Sequence, residues 1–232
     1  MRAEISIVIP TLNAEKELPG CLETLMEGLA AGLIRELVVS DGGSKDATVQ
    51  VAEAVGARVV TGPASRGGQL QQGCTEAQGN WLLVVHADTQ LAAGWSSVVA
   101  QHLDQGQGRP AYFSLRFRAT GLMPVLVAAW ANLRARVFGL PFGDQGLLIR
   151  RCDYGAAGGY PDQPLMEDVA LVRRLNGLVA LQSDALTSAK RYQQQGWLRR
   201  GTRNLWLQLR YLTGERPDTL ARSYERGRGD EM

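Results

Sequence analysis

Four short runs, ISIVI (5–9), ELVVS (36–40), ARVVT (57–61) and WLLVVHA (81–87), constrain this chain more than any other feature. They are nearly continuous in apolar and β-branched residues, without the polar alternation of a half-exposed strand. Each therefore reads as a strand buried on both faces. The segments between and after them have helical spacing. Leu18, Leu22, Leu25 and Leu29 recur within 14–33, and residues 46–55, 65–78 and 94–103 follow suit. Strands alternating with helices predict an α/β domain around a mostly parallel central sheet flanked by helices. Right-handed crossovers then line the carboxyl ends of the strands along one edge.

Beyond about residue 105 the rhythm changes. Residues 109–119 alternate, as an edge or antiparallel strand does, and 121–139 read as a largely buried helix. Residues 144–151 suggest a strand, 165–176 a helix, and 196–214 a basic amphipathic helix with Trp197, Leu198, Leu205, Trp206 and Leu209 as its apolar positions. The absence of repeats or low-complexity linkers predicts a single domain, its body over 1–187 and 188–232 a basic helical C-terminal extension of the same domain. The longest charge-free apolar segment, Gly121 to Leu133, falls short of the roughly 18 to 20 residues of a membrane span. Three widely spaced cysteines, Cys21, Cys74 and Cys152, suit neither a disulfide framework nor a zinc site. A cytoplasmic location follows, with room for peripheral contact at the inner face of the cell membrane. Net charge is only +2, but residues 188–228 carry ten Lys/Arg against three acids. That asymmetry suits an anionic partner for the tail or a solvated helix face; nucleic acid is not an expected partner.

The runs end on acids. Asp41 closes the second strand and is followed by Gly42 and Gly43; His86 and Asp88 close the fourth. In an open parallel sheet ligands gather outside the carboxyl ends of the strands, so Asp41, Asp88 and the Pro10–Thr11 turn would share a crevice. Asp46 equally suits a helix cap.

SIVIPTLNAEKEL, VVSDGGSKDAT, RGGQLQQG and LLVVHADT, followed by FGDQGLLIRR and LMEDVALVRRL, resemble, in order, the family 2 glycosyltransferases of the GT-A fold. The short chain and its GDQG block look most like small bacterial glycosyltransferase-like proteins of unassigned acceptor. The resemblance spans roughly residues 4 to 176 and implies an inverting transfer of sugar from a nucleotide-diphosphate sugar (UDP- or GDP-linked) to a hydroxyl acceptor. By resemblance, Pro10, Thr11, Asn13, Asp41, Gly42 and Ala87 would line the nucleotide-sugar pocket. Arg66, Gly67 and Gln69 open a helix whose amides, with Arg66, would suit the diphosphate. Asp88 matches the last acid of the family's Asp-x-Asp motif and would hold Mg²⁺ or Mn²⁺. Asp168 would act as general base, and Asp144, Gln145 and Glu167 would lie on the acceptor or sugar side.

His86 replaces the first acid of that motif, giving His-Ala-Asp. It is a further candidate metal ligand, tilting preference toward Mn²⁺, or a hydrogen-bonded strand-end histidine. Glu167 and Asp168 also suit the first turn of a helix by charge alone, and Asp144 and Gln145 suit a strand-entry turn. Gly196 stands where processive synthases carry the arginine of Gln-x-x-Arg-Trp, which argues against that subclass. Lys190 and Arg191, or Arg199 and Arg200, could close over a diphosphate or meet anionic lipid head groups. A lipid acceptor and a homodimer fit the same features, with Trp206 and Leu209 expected as core or dimer contacts. A nicotinamide oxidoreductase is excluded because the first turn lacks Gly-x-Gly-x-x-Gly. A non-catalytic nucleotide-sugar-binding or membrane-surface adaptor protein is the alternative reading.

Overall fold

The computed structural model describes residues 3–105 and 108–229, with side chains through residue 224. The four apolar runs become β1 (Ile5–Thr11), β2 (Ile34–Asp41), β3 (Arg58–Thr61) and β4 (Trp81–Val84). They pair in parallel, β1 lying between β2 and β4, with β3 outside β2. The helices between them are α1 (Leu18–Ala30), α2 (Thr48–Ala54) and α3 (Arg66–Glu76), and α4 (Trp95–Asp104) follows the short β5 (Thr89–Leu91). Register pairs Thr11 with Asp41 and Asp41 with Thr61, so the strands end level with one another.

Beyond β4 the sheet becomes mixed. β6 (Ala111–Phe117), β7 (Leu147–Arg150) and β8 (Val179–Thr187) complete the eight-stranded order β3-β2-β1-β4-β7-β6-β8-β5. Of the edge or antiparallel strand expected over 109–119, the antiparallel pairing is found against β7, and the edge is corrected: β6 is interior and runs parallel to β8. Its alternation reflects company rather than an edge, because α5 (Leu122–Phe138) covers one face of it. β8 has no apolar run, since Gln182, Ser183 and Asp184 interrupt it; pairing with its neighbours overrides weak local preference.

Ile5, Ile7 and Ile9 of β1 and Val39 of β2 pack on one side of the sheet against Leu18 of α1 and Trp95 of α4; Val8 and Val38 face the other side and pack against Leu70 of α3. Trp95 is fully buried, donates its indole N–H to the Thr24 carbonyl at 2.9 Å, and occupies the space where a Cβ on Gly28 would stand. Truncating a side chain so placed costs about 3–5 kcal/mol.

The expectation of a buried helix over 121–139 is also corrected. α5 turns Pro124, Ala128, Ala131 and Arg134 inward and leaves Leu122, Val125, Leu126, Trp130, Leu133, Val137 and Phe138 exposed. Small residues let this helix sit close to β6. Asn132 acts there as a strand partner, accepting from the Leu115 amide at 2.7 Å and donating to its carbonyl at 3.0 Å.

The chain then runs through a 3-10 turn (Gly143–Gln145), α6 (Arg151–Ala156) and α7 (Glu167–Val172). The tail folds as α8 (Lys190–Gln195), α9 (Trp197–Leu212) and α10 (Pro217–Gly229). Leu207 and Leu220 bury against Met166 and Val169, so the tail packs directly on the segment carrying Glu167 and Asp168. Trp206 and Leu209, expected in a core or dimer contact, are exposed on this chain. Among the described residues no helix is long and apolar enough to cross a membrane.

Candidate active site

At the end of β2, Asp41 is almost fully buried and its acceptor positions are filled by its own chain. Oδ1 accepts from Thr11 Oγ1 (2.9 Å) and Ser44 Oγ (2.5 Å); Oδ2 accepts from the amides of Gly43 (2.8 Å) and Ser44 (2.7 Å). Burial would raise its pKa, but these hydrogen bonds outweigh it and hold the carboxyl below its usual range. Asn13, at φ 51°, ties the two loops together: its amide donates to Ser44 Oγ and its side-chain oxygen accepts from the Lys45 amide, both at 2.8 Å. Asp46 closes the start of α2 by accepting from Thr48 and, on its other oxygen, from the Glu15 amide.

α3 begins at Ser65, whose hydroxyl accepts from the Gly68 amide. The expected donation of helix-end amides to a diphosphate is corrected here. Gly67 donates to the Gln163 carbonyl (3.1 Å), Gln69 donates its amide to the Ser65 carbonyl (2.8 Å), and Gly68 is taken by the cap. Gly67 is glycine because a Cβ there would stand 2.1 Å from the Pro161 carbonyl oxygen. Gln69 is a brace rather than a ligand-facing group: buried, it donates to the carbonyls of Thr11 (2.6 Å) and Ser40 (3.0 Å) and lies against Gly42. Of this block, Arg66 alone reaches the acids. Its Nε lies 3.3 Å from Glu167 Oε1, and its NH2 lies 3.4 Å from His86 Nδ1.

β4 delivers His86, Ala87 and Asp88 to the same edge. His86 Nδ1 lies 3.2 Å from Asp144 Oδ1, and ligand atoms of His86, Asp88 and Asp144 all fall within 4.8 Å of one another. Their charges are uneven. Burial and the neighbouring Asp144 carboxylate push the Asp88 pKa up. Asp144 resists its own burial because His86, Arg66 and Arg191 attract its charge, and its pKa is lowered. Gln145, expected beside Asp144, turns away instead. Fully buried, it accepts from the Phe142 amide and donates to the Phe113 carbonyl, closing the turn into β7.

α7 brings up the last acids. Met166 precedes it at φ 63°, a left-handed conformation unusual for a side-chain-bearing residue. It sets the chain direction so that Glu167 points inward and Asp168 faces the turn. Asp168 Oδ2 accepts from the Gly143 amide and Oδ1 from the Val169 amide, both at 2.7 Å. Gly143 is wedged between His86 and Asp168: a Cβ there would stand 2.9 Å from the imidazole and 3.5 Å from the carboxylate. A void of about 10 Å³ lined by His86, Phe142, Gly143, Tyr160 and Asp168 lies here, room for a single water. Glu167 is buried, and its Oε2 has no hydrogen-bond partner. Burial and the Asp168 charge raise its pKa, with Arg66 opposing them.

Two site residues escaped the sequence reading because they sit on the tail. The Tyr224 hydroxyl accepts from Arg200 (3.0 Å), and its pKa falls, against the effect of burial, through Arg200, Arg191 and Arg66. Tyr192 stacks on Trp197 beneath Arg200 and feels the Asp144 charge. The run of basic and aromatic residues was the available signal. Lys190 of the same run is held away by Glu17 at 2.7 Å.

Strand-end acids beside a basic, aromatic tail place this chain among known proteins. A PGL/p-HBAD biosynthesis glycosyltransferase of Mycobacterium tuberculosis (strain ATCC 25177 / H37Ra) is 36% identical over 93 residues, covering 37% of this chain and 36% of that relative. The match thus spans about a third of the curated relative's length. The crystal structure of Staphylococcus aureus TarS 1-349 is similar at TM-score 0.59 and 15% identity, over 86% of this chain and 63% of that one. That of glucosyl-3-phosphoglycerate synthase from M. tuberculosis, in complex with Mn²⁺, UDP and glucosyl-3-phosphoglycerate, is similar at TM-score 0.51 and 25% identity, over 77% of this chain and 70% of that one. These neighbours share the GT-A type of α/β fold. Residues 6–119, which carry β1 to β6 with Asp41, Arg66, His86 and Asp88, match the model of glycosyl transferase family 2, and the chain belongs to that family.

Proposed function

We propose that this protein transfers a sugar, with inversion, from a nucleoside-diphosphate sugar to a hydroxyl acceptor, and that the nucleoside is uridine. The observation that carries this reading is the cluster of His86, Asp88 and Asp144 within 4.8 Å beside Asp168, which the Gly143 amide holds at 2.7 Å. The uridine assignment draws on the relative solved with UDP.

The cluster's donor set suits a divalent cation. Two carboxylates and an imidazole crowd one point, where burial and the Asp144 charge raise Asp88 and His86 opposes them. One nitrogen with carboxylate oxygens favours Mn²⁺ over Mg²⁺, the ion present in the same relative. When bound there by Asp88, Asp144 and His86, it supplies positive charge for the departing diphosphate. Arg66, and Arg191 from the tail, add to that charge. Pro10, Thr11, Asn13, Asp41, Gly42 and Ala87 frame the nucleoside. Asp41 acts mostly by fixing the loops; a base would reach it by displacing the Ser44 hydroxyl.

Asp168 then serves as general base. It takes the proton of the acceptor hydroxyl as that oxygen bonds to the anomeric carbon and the bond to the diphosphate oxygen breaks. Both its oxygens accept N–H bonds that fix its orientation and leave a lone pair free. Glu167 neutralises Arg66 from behind, and Asp144, expected on the sugar or acceptor side, is assigned to the cation instead.

The test is product stereochemistry with a panel of UDP-sugars and Mn²⁺, read by NMR before mutarotation. An α-linked donor should give a β product in the parent protein and little product in Asp168→Asn. A retained anomer, or an Asp168→Asn protein as fast as its parent, contradicts the assignment. Binding of UDP without turnover of any donor would favour the adaptor reading.

A further inference from the structure

α5 is built inside out. Its inward face carries alanines, Pro124, Asn132 and Arg134. Arg134 donates to Gln208 Oε1 of α9 at 2.6 Å and lies over the Phe142 ring. Its outward face repeats large apolar residues at helical intervals: Leu122, Val125, Leu126, Trp130, Leu133 and Val137, with exposures from 51% to 71%. α9, joined to α5 through Arg134 and Gln208, does the same with Leu198, Trp206 and Leu209. Isolated exposed apolar side chains are ordinary; a continuous helical stripe of six marks a surface built to be covered.

Charge identifies the cover. From Leu122 to Phe138 and from Lys190 to Leu212 the chain holds eight Lys/Arg and no Asp or Glu; Arg134 and Arg200 are buried, and Lys190 and Arg210 pair with Glu17 and Glu215, so the surface charge comes from the rest. Arg136 of α5 and Arg199 of α9 are exposed, each next in sequence to an exposed apolar residue, Val137 and Leu198. A second copy docked face to face would set like charge against like charge. An anionic bilayer would accept the leucines and tryptophans at its acyl boundary and the arginines at its head groups. Trp130 and Trp206 are the residue type that favours this boundary. We propose that the α5–α9 face seats the protein on anionic lipid as a peripheral contact. This goes beyond a basic tail alone, because the larger share of the apolar surface comes from α5. The same helix leads into the turn that carries Asp144. The inference rests on neither the donor nor the base.

The experiment is co-sedimentation of the full chain with phosphatidylcholine vesicles, with and without phosphatidylglycerol. The parent should pellet with the anionic vesicles and mostly stay soluble with neutral ones. A doubly substituted Leu126→Ser, Trp130→Ser protein, altered only at exposed positions, should lose more than about tenfold in partition. Arg136→Gln with Arg199→Gln should lose about fivefold per position on anionic vesicles alone. Asp168→Asn should pellet like the parent, which separates this test from that of the transfer reaction. No pelleting of the parent, or equal pelleting of the serine variant, overturns the proposal. So does a dimer in sedimentation velocity that the serine substitutions dissolve while vesicles go unbound.

Discussion

At the β1–β2 end of the crevice Asp41 accepts four hydrogen bonds from its own chain, and its carboxyl is held below the usual range. At the β4–α7 end Glu167 leaves one buried oxygen without a partner, and Asp88 is pushed up by burial and by Asp144. A carboxylate satisfied by its own chain fixes geometry. Carboxylates crowded together and left under-satisfied store electrostatic energy that a cation or a substrate proton relieves. One crevice thus has a rigid end, which on our proposal shapes the nucleoside side, and a charged end, to which we assign the chemistry.

The comparison can be broken most sharply at the charged end. Asp168→Asn keeps an oxygen for the Gly143 amide, gives up the bond from the Val169 amide and loses basicity, so kcat measured by UDP release should fall on the order of 10² to 10⁴, while stability should fall by about 1 kcal/mol, the loss of one hydrogen bond. Gly143→Ala should cost about 10² in kcat/KM, because a misplacement near 1 Å has that effect and the added carbon meets the imidazole at 2.9 Å. Gly155→Ala, where a Cβ meets nothing within 4 Å, is the matched control and should be near neutral.

At the rigid end the loss should be structural. Asp41→Asn forfeits charge-assisted bonds and turns a donor toward the amides of Gly43 and Ser44. It should cost roughly 2 kcal/mol in urea unfolding while leaving any Mn²⁺ dependence of UDP binding intact. The smallest effect is the pH dependence of stability. Asp41, lowered in the fold, contributes stability above the ordinary carboxylate pKa that is lost as pH falls through its folded value. Glu167, raised in the fold, has the opposite sign: stability is lost as pH rises from the ordinary value to its folded one. Asp41→Asn should flatten the acid limb and Glu167→Gln the decline above it, each within about 1 kcal/mol. Equal slopes in both variants would erase the distinction between the two ends.

Much of this was legible in the chain. The unpatterned runs 5–9, 36–40 and 81–87 locate β1, β2 and β4, because a strand buried on both faces has no other composition available to it; 57–61 locates β3, but the expectation of burial there is corrected, since β3 is the sheet edge, exposed at Arg58 and Thr61 and half-buried between. The acids at their ends locate the crevice. What was not legible depends on partners distant in sequence. Gln69 and Gln145 looked like site residues by their place in motifs, yet both amides are consumed by backbone carbonyls reached only in the folded chain. β8 lacks an apolar signature and is made a strand by β6 and β5. α5 misled because apolar content predicts burial only when its stripe faces inward, and here alanine and arginine do so instead.

The account depends on a cation and a nucleoside diphosphate meeting at His86, Asp88 and Asp144. Calorimetric titration of UDP into the protein, with and without Mn²⁺ and then into Asp88→Asn, tests that most directly. Mn²⁺ should tighten UDP by about tenfold or more in the parent and by far less in the variant. The same UDP affinity with and without Mn²⁺ in the parent, or an undiminished Mn²⁺ effect in Asp88→Asn, would contradict it.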